Sequence, residues 1–298
     1  MYTAKLNIKG LCLVIVSFFL LVSLNACGEP TSSSSEKPIV NVSISPMRYF
    51  AEQLGGDYFE VKCIIPEGMS PDTYAPTPRQ MVHIGKGVAY LRTGSIGFEK
   101  AWMDRIQQNN PALKVFNLSN GAQAISSSNT ATEEDPHLWM SIEGMKLMVK
   151  NMTDAFKILD PKHKAVFDKN YQSTIQRIDT LAEWMSQIML TTTSKDFIIY
   201  HPALTYFAQE NGLHQICISE EAKEPTAAQL RALVQLTKAK QVSVIFIQKE
   251  FDQENARTIS EETGCRLVVI DPLGYDWFKT MKTVTEAFIP TKKIKDKK

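Results

Sequence analysis

Residues 39–44, Ile-Val-Asn-Val-Ser-Ile, alternate apolar and polar positions, a pattern that predicts a β-strand with one packed face. Apolar residues at helical spacing follow over 47–54 and stop at Gly55-Gly56. A second strand is expected over 58–65, ended by Pro66. The three prolines of residues 68–78 mark a loop, and Thr77-Pro78 reads as a helix start, with Thr77 as N-cap and Pro78 in the first turn. A short strand at 88–91, a helix at 98–107 and a strand at 113–118 complete this half. Strand–helix alternation with short connections predicts a mainly parallel sheet.

The pattern changes after a small-residue polar stretch at 126–134. Residues 142–159 predict a helix ended by Asp160-Pro161, and residues 161–190 then run without glycine or internal proline. Their apolar seam is Tyr171, Ile175, Ile178, Ala182, Met185 and Met189. Roughly 30 residues at about 1.5 Å rise give about 45 Å, longer than a small domain is wide. A coiled-coil arm is the competing reading, but the seam covers under three heptads and lacks ordered flanking charges. Alternation then resumes: strands at 196–200, 213–218, 242–248 and 266–270, with helices at 203–211, 226–239, 252–263 and 275–288. The expected fold is α/β, two (β/α) lobes with mainly parallel sheets joined by one long rigid helix. The N-terminal lobe spans 38–160, the bridging helix 161–192 and the C-terminal lobe 193–298.

The N-terminus stands outside this pattern. Lys5 and Lys9 precede an apolar run at 11–22, and Leu24-Asn25-Ala26-Cys27 closes the segment. About 12 apolar residues fall short of the ~20 that a membrane span needs, so residues 1–26 read as a signal peptide. A small residue before cysteine, with leucine three before it, resembles a bacterial lipobox. That resemblance implies cleavage and lipidation at Cys27. Residues 27–37 would form a flexible polar tether, holding the body at a membrane surface outside the cytoplasm.

Composition adds little. The 298 residues are 44% hydrophobic and 22% charged, as in soluble globular proteins. With 33 basic and 32 acidic residues the formal charge is +1, and nothing suggests nucleic acid as a partner. Beyond Cys12 and Cys27 there remain Cys63, Cys217 and Cys265, without CxxC or zinc-finger spacing. A Cys217–Cys265 bridge is conceivable; three buried free thiols are the favoured expectation.

Candidate chemistry collects at strand ends. Asp72 lies in the loop after the second strand, His137 after the last strand of the first lobe, His201 directly after strand 196–200, and Asp271 directly after strand 266–270. Ligands of open α/β sheets bind outside the carboxyl ends of strands, so these four can converge between the lobes. Two imidazoles and two carboxylates suit a divalent transition ion. Each has a proline neighbour, which stiffens its loop. His83, His163 and His214 read as structural or surface residues, and Trp139 and Tyr206 as packing around the site. Glu220 and Glu221 are weaker candidates for supporting it.

The motifs Gly68-Met-Ser-Pro-Asp-Thr-Tyr-Ala-Pro-Thr-Pro78, Asp135-Pro-His-Leu-Trp139, Tyr200-His-Pro-Ala-Leu-Thr-Tyr-Phe-Ala208, Glu224-Pro225-Thr226 and Val269-Ile-Asp-Pro-Leu-Gly274 together resemble the metal-binding, cluster A-I, solute-binding lipoproteins of zinc and manganese ABC transporters. The resemblance covers essentially everything after Cys27. It implies a buried metal in the cleft, Zn2+ or else Mn2+ or Fe2+, carried as ligand to an ABC permease. It also implies metal-ligating roles for Asp72, His137, His201 and Asp271, a lipid anchor, and a monomer that is no enzyme. One departure matters: the family usually has histidine where this chain has Asp72, which makes the site harder and more negative and weakens zinc against manganese or iron(II). The His-rich loop common in zinc-uptake relatives is also missing, because residues 126–135 hold Glu133, Glu134 and Asp135 but no histidine.

Two other functions remain open at this stage. A metallohydrolase needs an open metal position and a general base, yet the chain has no HExxH. A binder of an organic ligand or metal chelate would need an open, aromatic cleft.

Overall fold

Two four-stranded sheets, each wholly parallel, organise the chain. The computed structural model describes residues 36–126, 134–218 and 226–290. The first sheet has the order β2 (Glu60–Cys63), β1 (Ile39–Val42), β3 (Ala89–Arg92), β4 (Lys114–Asn117). The second repeats it with β6 (His214–Cys217), β5 (Asp196–Ile199), β7 (Val244–Gln248) and β8 (Arg266–Ile270). In both, the chain steps first to one edge and then crosses back, so the direction of winding reverses between β1 and β3 and between β5 and β7. The crevice outside the strands' carboxyl ends opens at these reversals. β7, Val-Ile-Phe-Ile-Gln, is buried throughout, as a strand covered by helices on both faces must be. Both sheets belong to one compact unit that begins at Lys37.

The helices fall where the apolar periodicity places them. In the first half these are α1 (Ser45–Gly55), α2 (Pro78–Ile84), α3 (Gly97–Asn109) and α4 (Ile142–Leu159). Thr77 caps α2 as expected, and Gln80 completes a reciprocal capping box with its backbone. The second half has α6 (Thr205–Glu210), α7 (Ala227–Ala239), α8 (Glu254–Thr263) and α9 (Trp277–Glu286), with α8 ended by Gly264 in the left-handed region at φ 72°. The expected strand over 58–65 is shorter, because a 3-10 turn occupies Gly56–Tyr58.

Between the sheets runs α5 (Lys164–Thr191), preceded by a 3-10 turn at Pro161–His163 rather than by continuous helix. It packs on α1 and α4 from the first half and on α9 from the second, so it links the lobes. Phe167, Thr174, Ile178, Leu181, Met185 and Met189 are buried along one stripe, with Tyr171, Ile175 and Ala182 half-buried at its margin. Among the described residues no helix is long and apolar enough to cross a membrane.

Hydrogen bonds join the lobes. The indole nitrogen of Trp139 donates to the Pro272 carbonyl at 2.9 Å, and that of Trp277 donates to the Trp139 carbonyl at 2.6 Å. From the second lobe, the Glu210 carboxylate accepts the Ile142 and Glu143 amides at 2.9 and 2.8 Å, filling the N-terminus of α4 with negative charge. Among the described residues Cys63, Cys217 and Cys265 form no disulfide, and only Cys265 is buried, so the expectation of three buried thiols holds for one of them. Cys217 ends β6 while Cys265 leads into β8, at opposite edges of one sheet. Three strand spacings of about 4.8 Å put them far beyond disulfide reach.

Candidate metal centre

His137 sits in a turn that its neighbour builds. The carboxylate of Asp135, fully buried, accepts both the His137 amide at 2.7 Å and the ring Nδ1 at 2.9 Å. An ionised carboxylate only accepts, so Nδ1 carries the proton and Nε2 keeps its lone pair. A carboxylate–histidine pair of this kind orients the ring and raises its basicity as a ligand. Burial alone would push the Asp135 carboxyl up, but the His137 ring and the hydrogen bonds outweigh it and hold it below the usual range.

His201 is the second residue after β5. Its backbone is clamped by buried Gln248 at the end of β7, whose side chain accepts the His201 amide at 3.3 Å and donates to its carbonyl at 2.6 Å. The Phe251 ring lies 5.7 Å from the imidazole. The two histidine rings meet edge to face with centroids 5.2 Å apart. Two imidazoles sharing one tetrahedral ion at ~2.0–2.1 Å bond lengths stand about 5 Å apart, so the pair needs little movement to chelate. Nδ1 of His201 is buried without a hydrogen-bond partner. A buried lone pair of that sort suits an electron-pair acceptor.

Burial, helped by the nearby His137 ring, lowers the His201 pKa from 6.5 to about 4, while Asp72 and Asp135 pull the other way. The ring is therefore neutral and available at pH 7. The unfolded chain takes this proton at its ordinary value, whereas the folded chain refuses it until about pH 4. Stability from this term is complete above pH 6.5 and is lost as pH falls toward 4, by up to about 3 kcal/mol. Urea unfolding of the metal-free protein at pH 7 and pH 4.5 should show this slope, and His201→Asn should lack it; equal slopes would refute the assignment.

Asp72 and both histidines line one cavity of about 20 Å3, room for a single water-sized occupant. Asp72 reaches it by a long loop that rests on the start of α3. A Cβ on Gly97 would lie 2.9 Å from the Asp72 Cα and 2.8 Å from its Oδ1, so only glycine lets the loop come this close. The segment bearing Gly97 is held from below by Glu99, whose buried carboxylate accepts the Thr93 and Gly94 amides at 2.6 and 2.8 Å and the Ser43 hydroxyl. Trp139 and Phe251 wall the cavity, and the Trp139 ring stands 5.1 Å from that of His137.

Asp271 is placed differently. Its carboxylate lies 3.8 Å from the Lys249 ammonium and lines a neighbouring groove, while its carbonyl accepts from Thr280 and Gly274. Among the described residues, no three His, Cys, Asp or Glu side chains cluster tightly enough to hold an ion without side-chain rotation. Sequence reasoning passed over one residue in the cavity wall, Glu250. It is the second residue after β7, the same placement as His201 after β5, and that placement was the available signal. Burial pushes its carboxyl up, the Asp271 charge adds to this, and His137 opposes it. Cys27, Glu220 and Glu221 lie outside the described residues.

Known proteins match this arrangement over most of the chain. The high-affinity zinc uptake system protein ZnuA of Bacillus subtilis (strain 168) is 28% identical over 281 residues, covering 87% of each chain. The manganese ABC transporter substrate-binding lipoprotein PsaA of Streptococcus pneumoniae is 26% identical over 261 residues, 82% of this chain and 83% of that one. A crystal structure of a ZnuA 138–173 deletion mutant with zinc bound superposes with a TM-score of 0.80 at 28% identity, covering 86% of this chain and all of the other. The family model for zinc-uptake complex component A, periplasmic, matches residues 40–289, and the chain belongs to that family.

Proposed function

We propose that this protein captures one divalent transition-metal ion outside the cytoplasm, zinc by preference with manganese or iron(II) as alternatives, and delivers it to an ABC permease for import. The carrying observation is the His137–His201 pair, preset at chelating separation in an ion-sized cavity with Asp72 on its rim. Asp72, His137 and His201, with Asp271 from the neighbouring groove, bind the ion after side-chain rotation. Support comes from relatives that carry zinc and manganese in their names.

The protein is a transport component rather than an enzyme, and no bond is made or broken. An organic ligand needs a pocket of about 300–1,000 Å3, so the cavity's size argues against that alternative. Cys27, lipidated after cleavage, would tether a monomeric body to the membrane through residues 27–37.

Titration of the chelator-treated protein with Zn2+ and with Mn2+ tests this. One ion per chain should bind and raise the melting temperature, since a ligand of the native state alone stabilises it. Failure of both ions to bind overturns the assignment.

A further inference from the structure

We propose that Glu210 is a positioning residue, a clamp between the lobes that holds His137 and His201 at chelating separation and so slows release of the captured ion. This rests on the metal-capture reading and concerns a residue that does not touch the ion.

The path of the chain places the clamp. α6 leaves the loop that bears His201, and α4 follows the turn that bears His137. Glu210 ends α6, and its two carboxylate oxygens accept the first amides of α4, that of Ile142 at 2.9 Å and that of Glu143 at 2.8 Å. The Ser141 hydroxyl accepts the next amide, that of Gly144, at 3.1 Å. A helix start leaves several such amides without partners of its own, and here the second lobe supplies two of the caps. A carboxylate in that position also offsets the positive end of the helix.

α6 is tied to the same segment at its other end. The Thr205 hydroxyl stands against the Asp135 carboxylate and helps to keep it ionised, while the Gln215 amide donates to that hydroxyl at 2.9 Å. Between Thr205 and Glu210, α6 rests on the 3-10 turn Leu138–Met140. A helix of six residues is therefore fixed at both ends to residues 135–143, which carry His137. The spacing of the two histidines follows from this attachment before any ion arrives.

On the far side the lobes are joined by different means. Past the β8 edge, aromatic rings pack between them, Trp277 on Phe50 with centroids 5.5 Å apart and Tyr275 on Tyr49 at 5.3 Å. α6 joins β5 to β6, so it lies at the opposite edge of the order β6-β5-β7-β8. There the seam is a groove of about 320 Å3, lined by Leu138, Ser141, Glu143, Tyr206 and Glu210. Hydrogen bonds rather than filled apolar volume hold this edge, and their loss lets the lobes part about the aromatic side. An ion shared by imidazoles from two lobes leaves as the lobes part, so the clamp acts on release more than on capture.

Glu210→Ala, Glu210→Gln and the control Asn170→Ala provide the test. Glu210 is exposed, so its substitution leaves the core intact. Asn170 donates to the Leu54 carbonyl at 3.0 Å and lines no part of the metal cavity. Each protein is loaded with Zn2+ and mixed with excess chelator in a stopped-flow instrument, and urea unfolding gives its metal-free stability. Release from Glu210→Ala should be about three- to tenfold faster than from wild type. Glu210→Gln keeps one carbonyl acceptor and should fall between the two. Asn170→Ala should lose stability yet release zinc at the wild-type rate. Release from Glu210→Ala at the wild-type rate, or equal acceleration in Asn170→Ala, overturns the clamp and leaves metal capture standing. A wild-type protein that takes up neither Zn2+ nor Mn2+ removes both readings.

Discussion

Alanine at His137 is expected to abolish metal-induced stabilisation. At a free ion concentration a thousand times the dissociation constant, the native protein gains about 4 kcal/mol, equivalent to a rise of roughly 8–16 °C in a domain of this size. His137 provides half of the imidazole pair, and no other histidine stands near the cavity to replace it among the described residues. The substitution also removes the ring that holds Asp135 ionised, leaving a buried carboxylate without its main partner. That costs the metal-free protein about 1–3 kcal/mol, so the informative quantity is the difference between melting temperatures with and without metal. Asp135→Asn keeps the ligand but unsettles its tautomer, and should weaken binding by about 10–100-fold. Differential scanning calorimetry across these variants decides the matter. A metal-induced shift in His137→Ala equal to the wild-type shift would remove His137 from the site.

The largest expected loss of stability comes from Trp139→Ala. The side chain is 1% exposed, and its nitrogen donates across the lobes to Pro272. Emptying so large a buried volume costs about 3–5 kcal/mol. Trp139→Phe keeps most of the apolar contact and strands the Pro272 carbonyl, a penalty nearer 1–3 kcal/mol. Both variants should weaken metal binding, because Trp139 walls the cavity beside His137 and Pro272 is the residue after Asp271. Urea unfolding measures the first effect and chelator competition the second. A cost below about 1 kcal/mol in Trp139→Ala would show that the lobes are held together by other contacts.

Much of this was legible in the chain. Alternation of strand and helix periodicities identified both sheets and the linking helix, because burial forces apolar residues onto a repeat of two or of 3.6. Thr77 with Gln80 marked a helix start, since capping chemistry is local. His137 and His201 stood out as histidines after strand ends, which needs only the parallel arrangement and no coordinates.

What the chain did not disclose was strand order. Residues 266–270 and 242–248 both read as apolar strands, and nothing local says which lies at the edge. Asp271-Pro272 was read as a match for His201-Pro202, while Glu250, just beyond β7, was passed over. Burial also exposed what periodicity cannot: Gln248, a polar residue at the end of an apolar run, turned out fully buried and bonded to both sides of the His201 backbone. Close approach was equally hidden, as Gly97 and Asp72 are distant in sequence and meet only through loop packing.

By itself, then, the sequence determined the two parallel α/β lobes, the helix between them and the histidines at strand ends, because these follow from periodicity, capping and connection length. Only the tertiary structure decided which carboxylates stand beside those histidines. Sheet order and loop packing are set by contacts between residues far apart in the chain, and no local pattern records them.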